Sequence, residues 1–182
     1  MRLAIPAAPV LVQDGRKYLC LTVEGELKTL NAAEAQFLVR SQMPIACNAP
    51  ALAASLKMKR FLAYDVLELF AFIHPAKFCV PTPGGVASAL NLFEPKSAED
   101  ACLSLRDSIR HLLLDLTAAG REEMSDPAAI AAMMGLVGTV NLEQGGWPWA
   151  PTVLAALGRD ATPPARDEIN ARVRRVWEQL PE

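Results

Sequence analysis

The chain has 182 residues, of which 52% are hydrophobic and 21% charged, with a formal net charge of −2. That length suits one domain, or one domain with an appendage, and the apolar share with so little net charge excludes intrinsic disorder. The uncharged run Pro127 to Leu142, which no other exceeds, is broken by Gly135, Gly138 and Thr139 and falls short of the roughly 20 apolar residues of a membrane span. An isoelectric point near 5.8 argues against a free-standing binder driven by charge alone toward nucleic acid.

In chain order, Pro9 to Leu30 reads as a β-meander. Val10-Leu11-Val12 ends at Asp14-Gly15, Tyr18 to Val23 ends at Glu24-Gly25, and Glu26 to Thr29 forms a third short run. Asn31 with Glu34 has the form of a capping box and opens a helix to Ser41. Pro44 to Cys47 is a further apolar run, and Asn48 caps a helix from Pro50 to Leu56.

Beyond the basic turn Lys57-Met58-Lys59-Arg60, the short extended piece Phe61 to Tyr64 leads to a helix from Asp65 to His74. Its stripe is Val66, Leu69, Phe70 and Ile73, and Pro75 stops it. Thr82-Pro83 begins a short helix to Leu90, and Ser97 with Asp100 begins a long amphipathic helix that runs to about Gly120. Asp126-Pro127 caps a further helix to about Leu142. The Gly145-Gly146-Trp147-Pro148-Trp149-Ala150-Pro151 turn precedes a short helix to Leu157, and Thr162-Pro163-Pro164 begins a last one to Gln179.

Several chemistries are absent from this pattern. No G-x-x-x-x-G-K-[ST] or dinucleotide fingerprint occurs, so these residues carry no P-loop. Cys20, Cys47, Cys79 and Cys102 are scattered singly, which reads as reduced core thiols rather than a zinc site or disulfide framework. No apolar leader follows the Met-Arg start, so a cytoplasmic location is expected. Asp65 and Glu68 read as a helix cap and its capping-box partner, and His74 as a helix C-terminal residue favoured by the dipole.

The order of a three-strand meander, a helix, a strand ending in Asn, a helix, a short strand and an Asp-Val-Leu-Glu-Leu helix resembles the RNase H-like fold of DnaQ-type 3′–5′ exonucleases. Cys47-Asn48-Ala49-Pro50-Ala51-Leu52 stands where that family has His-Asn-Ala-x-Phe-Asp. Asn48 and Ala49 match, and Leu52 replaces a metal-binding acid. No Asp-x-Glu occurs, leaving Asp14 as the single carboxylate near the first motif, and the last motif falls on Cys102 and Asp107. The resemblance therefore implies a degenerate site, at Asp14, Asn48, Leu52 and Asp107, with no catalytic residue and no metal.

A longer block, Phe61 to Pro83, with Trp147-Pro148-Trp149-Ala150-Pro151 and the Leu180-Pro181-Glu182 ending, resembles the N-terminal region of alphaproteobacterial ATP-dependent DNA helicases of the DinG type, superfamily 2 relatives of XPD. This implies an RNase H-like domain over 1–120 and a helical extension over 121–182 leading toward a downstream motor. ATP, magnesium and, in many relatives, an iron–sulfur cluster would belong to that motor, with none in this segment. The expected role is docking on the motor or guiding single-stranded DNA, with Lys57, Lys59, Arg60, Trp147 and Trp149 as candidate DNA contacts. A stand-alone protein interaction module and a divergent metal-dependent nuclease are the alternatives. The apolar surplus is expected mainly in 128–142 and the Trp-Pro-Trp turn, so the isolated chain should self-associate or expose an apolar patch.

Overall fold

Three strands form the meander: β1 (Val10–Asp14), β2 (Lys17–Leu21) and β3 (Leu27–Leu30). In this computed structural model, residues 5–118, 130–131 and 146–158 are described. The β1–β2 turn is Gly15-Arg16, with Gly15 at a φ of +58°, a left-handed conformation that favours glycine. Asn31 caps α1 (Ala32–Ser41), its side-chain oxygen accepting from the amides of Ala33 and Glu34, while Glu34 accepts from the Asn31 amide at 2.8 Å, completing the expected capping box.

The chain then returns through β4 (Ile45–Ala46), α2 (Ala49–Ser55), β5 (Tyr64–Asp65) and α3 (Val66–Ile73). The five strands make one mixed sheet of order β3-β2-β1-β4-β5. The meander pairs are antiparallel, whereas β4 runs parallel to both β1 and β5. Each parallel pair requires a crossover, and α1 and α2 supply these. The protein is thus an α/β fold, in which a five-strand mixed sheet packs with helices.

Alternation along the strands divides the core between the two sheet faces. Leu11, Tyr18, Cys20 and Ala46 pack with Ala35 and Val39 of α1 and with Leu52 and Leu56 near α2. Tyr18 donates from its hydroxyl to Ser55 Oγ at 3.2 Å, and Gln36 donates to the Leu56 carbonyl at 2.8 Å, which ties strand and helices together. Val10, Leu19, Leu21 and Ile45 are also buried. Near them, the Cys102 thiol of α5 (Ala98–Ala118) lies 3.9 Å from the Leu19 carbonyl.

Between α3 and α5 lies α4 (Pro83–Ala89), capped by Thr82, which accepts from the Gly85 amide at 3.0 Å. In α3 the buried side chains are Val66, Leu69, Phe70 and Phe72. Phe72 thus takes the buried place expected of Ile73, which is half-buried, because α3 is apolar nearly all round and its neighbours decide which residues are covered. His74 ends α3, and its Nε2 lies 3.0 Å from Asp115 Oδ2, joining that end to α5.

By contact density the chain divides into Ile5–Asp115 and a second unit of Met1–Ala4 with Leu116–Glu182. Described in the second unit is α6 (Ala150–Ala156), entered from the Trp-Pro-Trp turn through an Ala150 amide to Trp147 carbonyl bond of 3.0 Å. Apart from Ile130 and Ala131, the helix expected to reach Leu142 lies outside the described residues, as does the last helix to Gln179. Among the described residues, no helix is long and apolar enough to cross a membrane.

Candidate functional site

The carboxyl ends of β1 and β4, side by side and parallel, open into a cavity of about 230 Å³. Such strand ends are where open α/β sheets commonly place ligands. From β1 come Leu11, Val12 and Gln13, and from the end of β4 and the start of α2 come Cys47, Asn48, Ala51 and Leu52. The segment Pro81-Thr82-Pro83 closes the remaining side.

Two caps fix this region. Asn48 accepts at its Oδ1 from the Ala51 amide at 3.0 Å and so begins α2. Behind it, the Asp65 carboxylate serves two helices at once. Its Oδ2 accepts from the Ala49 amide at 2.7 Å, in the first turn of α2, and its Oδ1 accepts from the Leu67 amide at 2.9 Å, in the first turn of α3. Both helix N-termini are thereby satisfied by one acid that is 4% exposed. Burial raises the Asp65 pKa above its ordinary value, and the amides of Ala49, Leu67 and Glu68 oppose that rise.

The polar groups of the cavity have limited chemistry. Burial, with the Asp65 and Cys79 charges adding to it, pushes the Cys47 thiol up to about 12, so it is protonated at neutral pH and is not a poised nucleophile. Asn48 and Thr82 use their side-chain oxygens as helix caps. Gln13 donates from its amide to the Gly15 carbonyl at 2.9 Å. Two divalent cations for phosphodiester cleavage need several converging carboxylates. Among the described residues, no Asp, Glu or His lines this cavity, and the donor set they offer does not fit such a pair. Among the described residues, no group of three or more His, Cys, Asp and Glu is placed to hold a metal.

Of the four positions expected to mark a degenerate exonuclease site, the structure brings Asn48 and Leu52 together in this cavity. Asp14 is exposed at the end of β1, opposite Lys17, and Asp107 is exposed on α5, where His111 Nδ1 lies 3.0 Å from its carbonyl. Neither lines the cavity. The candidate DNA contacts separate by burial: Lys57, Lys59 and Arg60 are exposed in the turn after α2, whereas Trp147 is 9% exposed and Trp149 fully buried. Burial withdraws both indole faces from solvent, and aromatic side chains in turns between helices commonly serve as packing anchors.

Gln13 and Pro81-Thr82-Pro83 are cavity residues that the sequence reading did not single out for the site. Their only signals were the Thr-Pro helix start and proximity to Asp14. No family model, no curated protein and no solved structure matched the chain.

Proposed function

We propose that this chain is a non-catalytic accessory domain of an ATP-dependent DNA helicase of the DinG type, built on an RNase H-like, DnaQ-type exonuclease fold that has lost its metal-binding acids. The observation that carries the reading is the cavity at the carboxyl ends of β1 and β4. Asn48 and Leu52 line it, the residues that stand where the exonuclease motif has its Asn and its metal-binding acid, with Val12 and Gln13 on the neighbouring strand. Strand order β3-β2-β1-β4-β5, with an antiparallel meander beside two parallel strands, supports the RNase H-like reading.

In this role the domain docks on the motor or guides DNA toward it, in the cytoplasm. ATP, magnesium and any iron–sulfur cluster belong to the motor, so no step of the chemistry runs through this chain. Reading the gene past the Glu182 codon tests the proposal. A P-loop and a DEAH-type motor in the same frame are expected, and an immediate stop codon would overturn the accessory role.

A further inference from the structure

The cavity at the ends of β1 and β4 carries hydrogen-bonding capacity that the fold leaves unspent. The two strands pair at Val10 and Ile45, and Gln13 and Asn48 each lie three residues further along, on neighbouring segments that both line the cavity. Bonds within the protein decide which end of each carboxamide is left over. Gln13 Nε2 donates to the Gly15 carbonyl, which leaves Gln13 Oε1 to accept. Asn48 Oδ1 accepts from the Ala51 amide, which leaves Asn48 Nδ2 to donate. An acceptor from one segment and a donor from its neighbour complement a cis-amide, in which an N–H and a C=O point out of the same edge of a ring.

The surroundings favour a ligand without charge. Among the described residues, no Lys, Arg or His lines the cavity to meet an anion, and no acid lines it to meet a cation. The helices that begin here offer an anion little. The Ala49 and Ala51 amides of α2 are taken by Asp65 and Asn48, the Gly85 amide of α4 is taken by Thr82, and Pro50 and Pro83 have no N–H. Leu11, Leu52, Pro81 and Pro83 supply apolar walls. At about 230 Å³ the cavity is smaller than the roughly 300–1,000 Å³ of sites for drug-sized ligands, which suits a single ring. We propose that this cavity binds a neutral ring with a lactam edge, the ring N–H donating to Gln13 Oε1 and the ring carbonyl accepting from Asn48 Nδ2. The inference goes beyond the accessory-domain reading and stands on the cavity alone.

Titration of the whole isotope-labelled chain with δ-valerolactam, followed through the side-chain amide resonances of Gln13 and Asn48, tests it. A saturable shift of both resonances is expected, with a dissociation constant of about millimolar order for a ligand this small. Cyclohexanone has the same shape and carbonyl but no N–H, and should bind about 2- to 12-fold more weakly, the worth of one neutral hydrogen bond. Cyclohexanecarboxylate and inorganic phosphate should not move these resonances. Asn48→Asp keeps an oxygen to cap α2 but removes the donor, and should abolish lactam binding. Ala51→Leu places a good helix former at an exposed position of α2 that lines the cavity, so it should fill the site and still melt as wild type does. The proposal is overturned by the absence of a saturable shift in wild type, by cyclohexanone binding as tightly as the lactam, by carboxylate or phosphate binding at these residues, or by lactam binding that survives Ala51→Leu. Reading the gene past Glu182 has no bearing on this titration, so the two proposals fail separately.

Discussion

Replacing Asp65 with alanine removes the one acceptor shared by the first turns of α2 and α3. Each helix loses a cap worth about 1 kcal/mol, and hydrogen bonds to a charged acceptor are worth about 1.5–3 kcal/mol. Opposing this, alanine relieves the cost of burying a carboxylate, a cost visible in the raised Asp65 pKa. The balance is a loss of about 2–3 kcal/mol, which for a chain of this length lowers the melting temperature by about 5–10 °C.

Urea unfolding followed by circular dichroism measures the loss, with an unchanged m-value showing that the same surface unfolds. Asp65→Asn should recover no more than half of it, because the amide offers one acceptor where two amides donate. The pH dependence has a definite sign. The folded pKa is raised, so the folded state takes up the proton before the unfolded one. The pH-dependent part of the stability that Asp65 contributes is thus fully present below the unfolded carboxylate value of about 3.9 and is lost as pH rises through the folded value, while the cap hydrogen bonds remain. The gap between wild type and Asp65→Ala should therefore widen as pH falls from about 7 to about 4. A loss below about 0.5 kcal/mol, the size of an ordinary surface change, or a gap that narrows on acidification, would refute the reasoning.

Other substitutions check separate parts of the structure. A Cβ at Gly85 would fall on the Val80 carbonyl oxygen and Cβ, so Gly85→Ala should cost about 1–3 kcal/mol in thermal or urea unfolding. Gly84→Ala meets Pro95 Cδ at an ordinary 3.9 Å and should be neutral or stabilising by up to about 1 kcal/mol. Ser108 Oγ is buried in α5 with no hydrogen-bond partner among the described residues, so Ser108→Ala should raise stability by about 1 kcal/mol in urea titration. With its thiol pushed up to about 12, Cys47 should react with a thiol-specific disulfide reagent more slowly than the less buried Cys79, as peptide mapping after partial labelling would show.

Most of the elements were legible because their ends are written in local chemistry. Asn31 with Glu34, Asn48, Asp65 and Thr82 each cap the helix that the sequence assigns them. Gly15 likewise marks the first hairpin. Asp65 shows where local reading stops. Its cap on α3 lies two residues away, but its bond to Ala49 spans 16 residues and exists because β4 and β5 lie side by side. Leu52 was singled out through the exonuclease resemblance and does line the cavity, whereas the approach of Pro81-Thr82-Pro83 to the same cavity is tertiary and leaves no periodic mark.

Of the stretch 128–142, where much of the apolar surplus was expected, all but Ile130 and Ala131 lies outside the described residues, and among the described residues the most exposed rings are Phe37, Phe78 and Phe93. Sequence alone assigns a phenylalanine to the core by default. The reverse holds for Trp147 and Trp149, whose loop position allowed a stacking role that their burial disfavours.

The central claim is that the cavity at the ends of β1 and β4 is a non-catalytic remnant. Its most direct test is incubation of the chain with end-labelled single-stranded DNA in magnesium or manganese, resolved on a denaturing gel. The account predicts an oligonucleotide of unchanged length, identical to that in chelator. Metal-dependent shortening from the 3′ end, abolished by Asp14→Ala or Asp107→Ala, would contradict it.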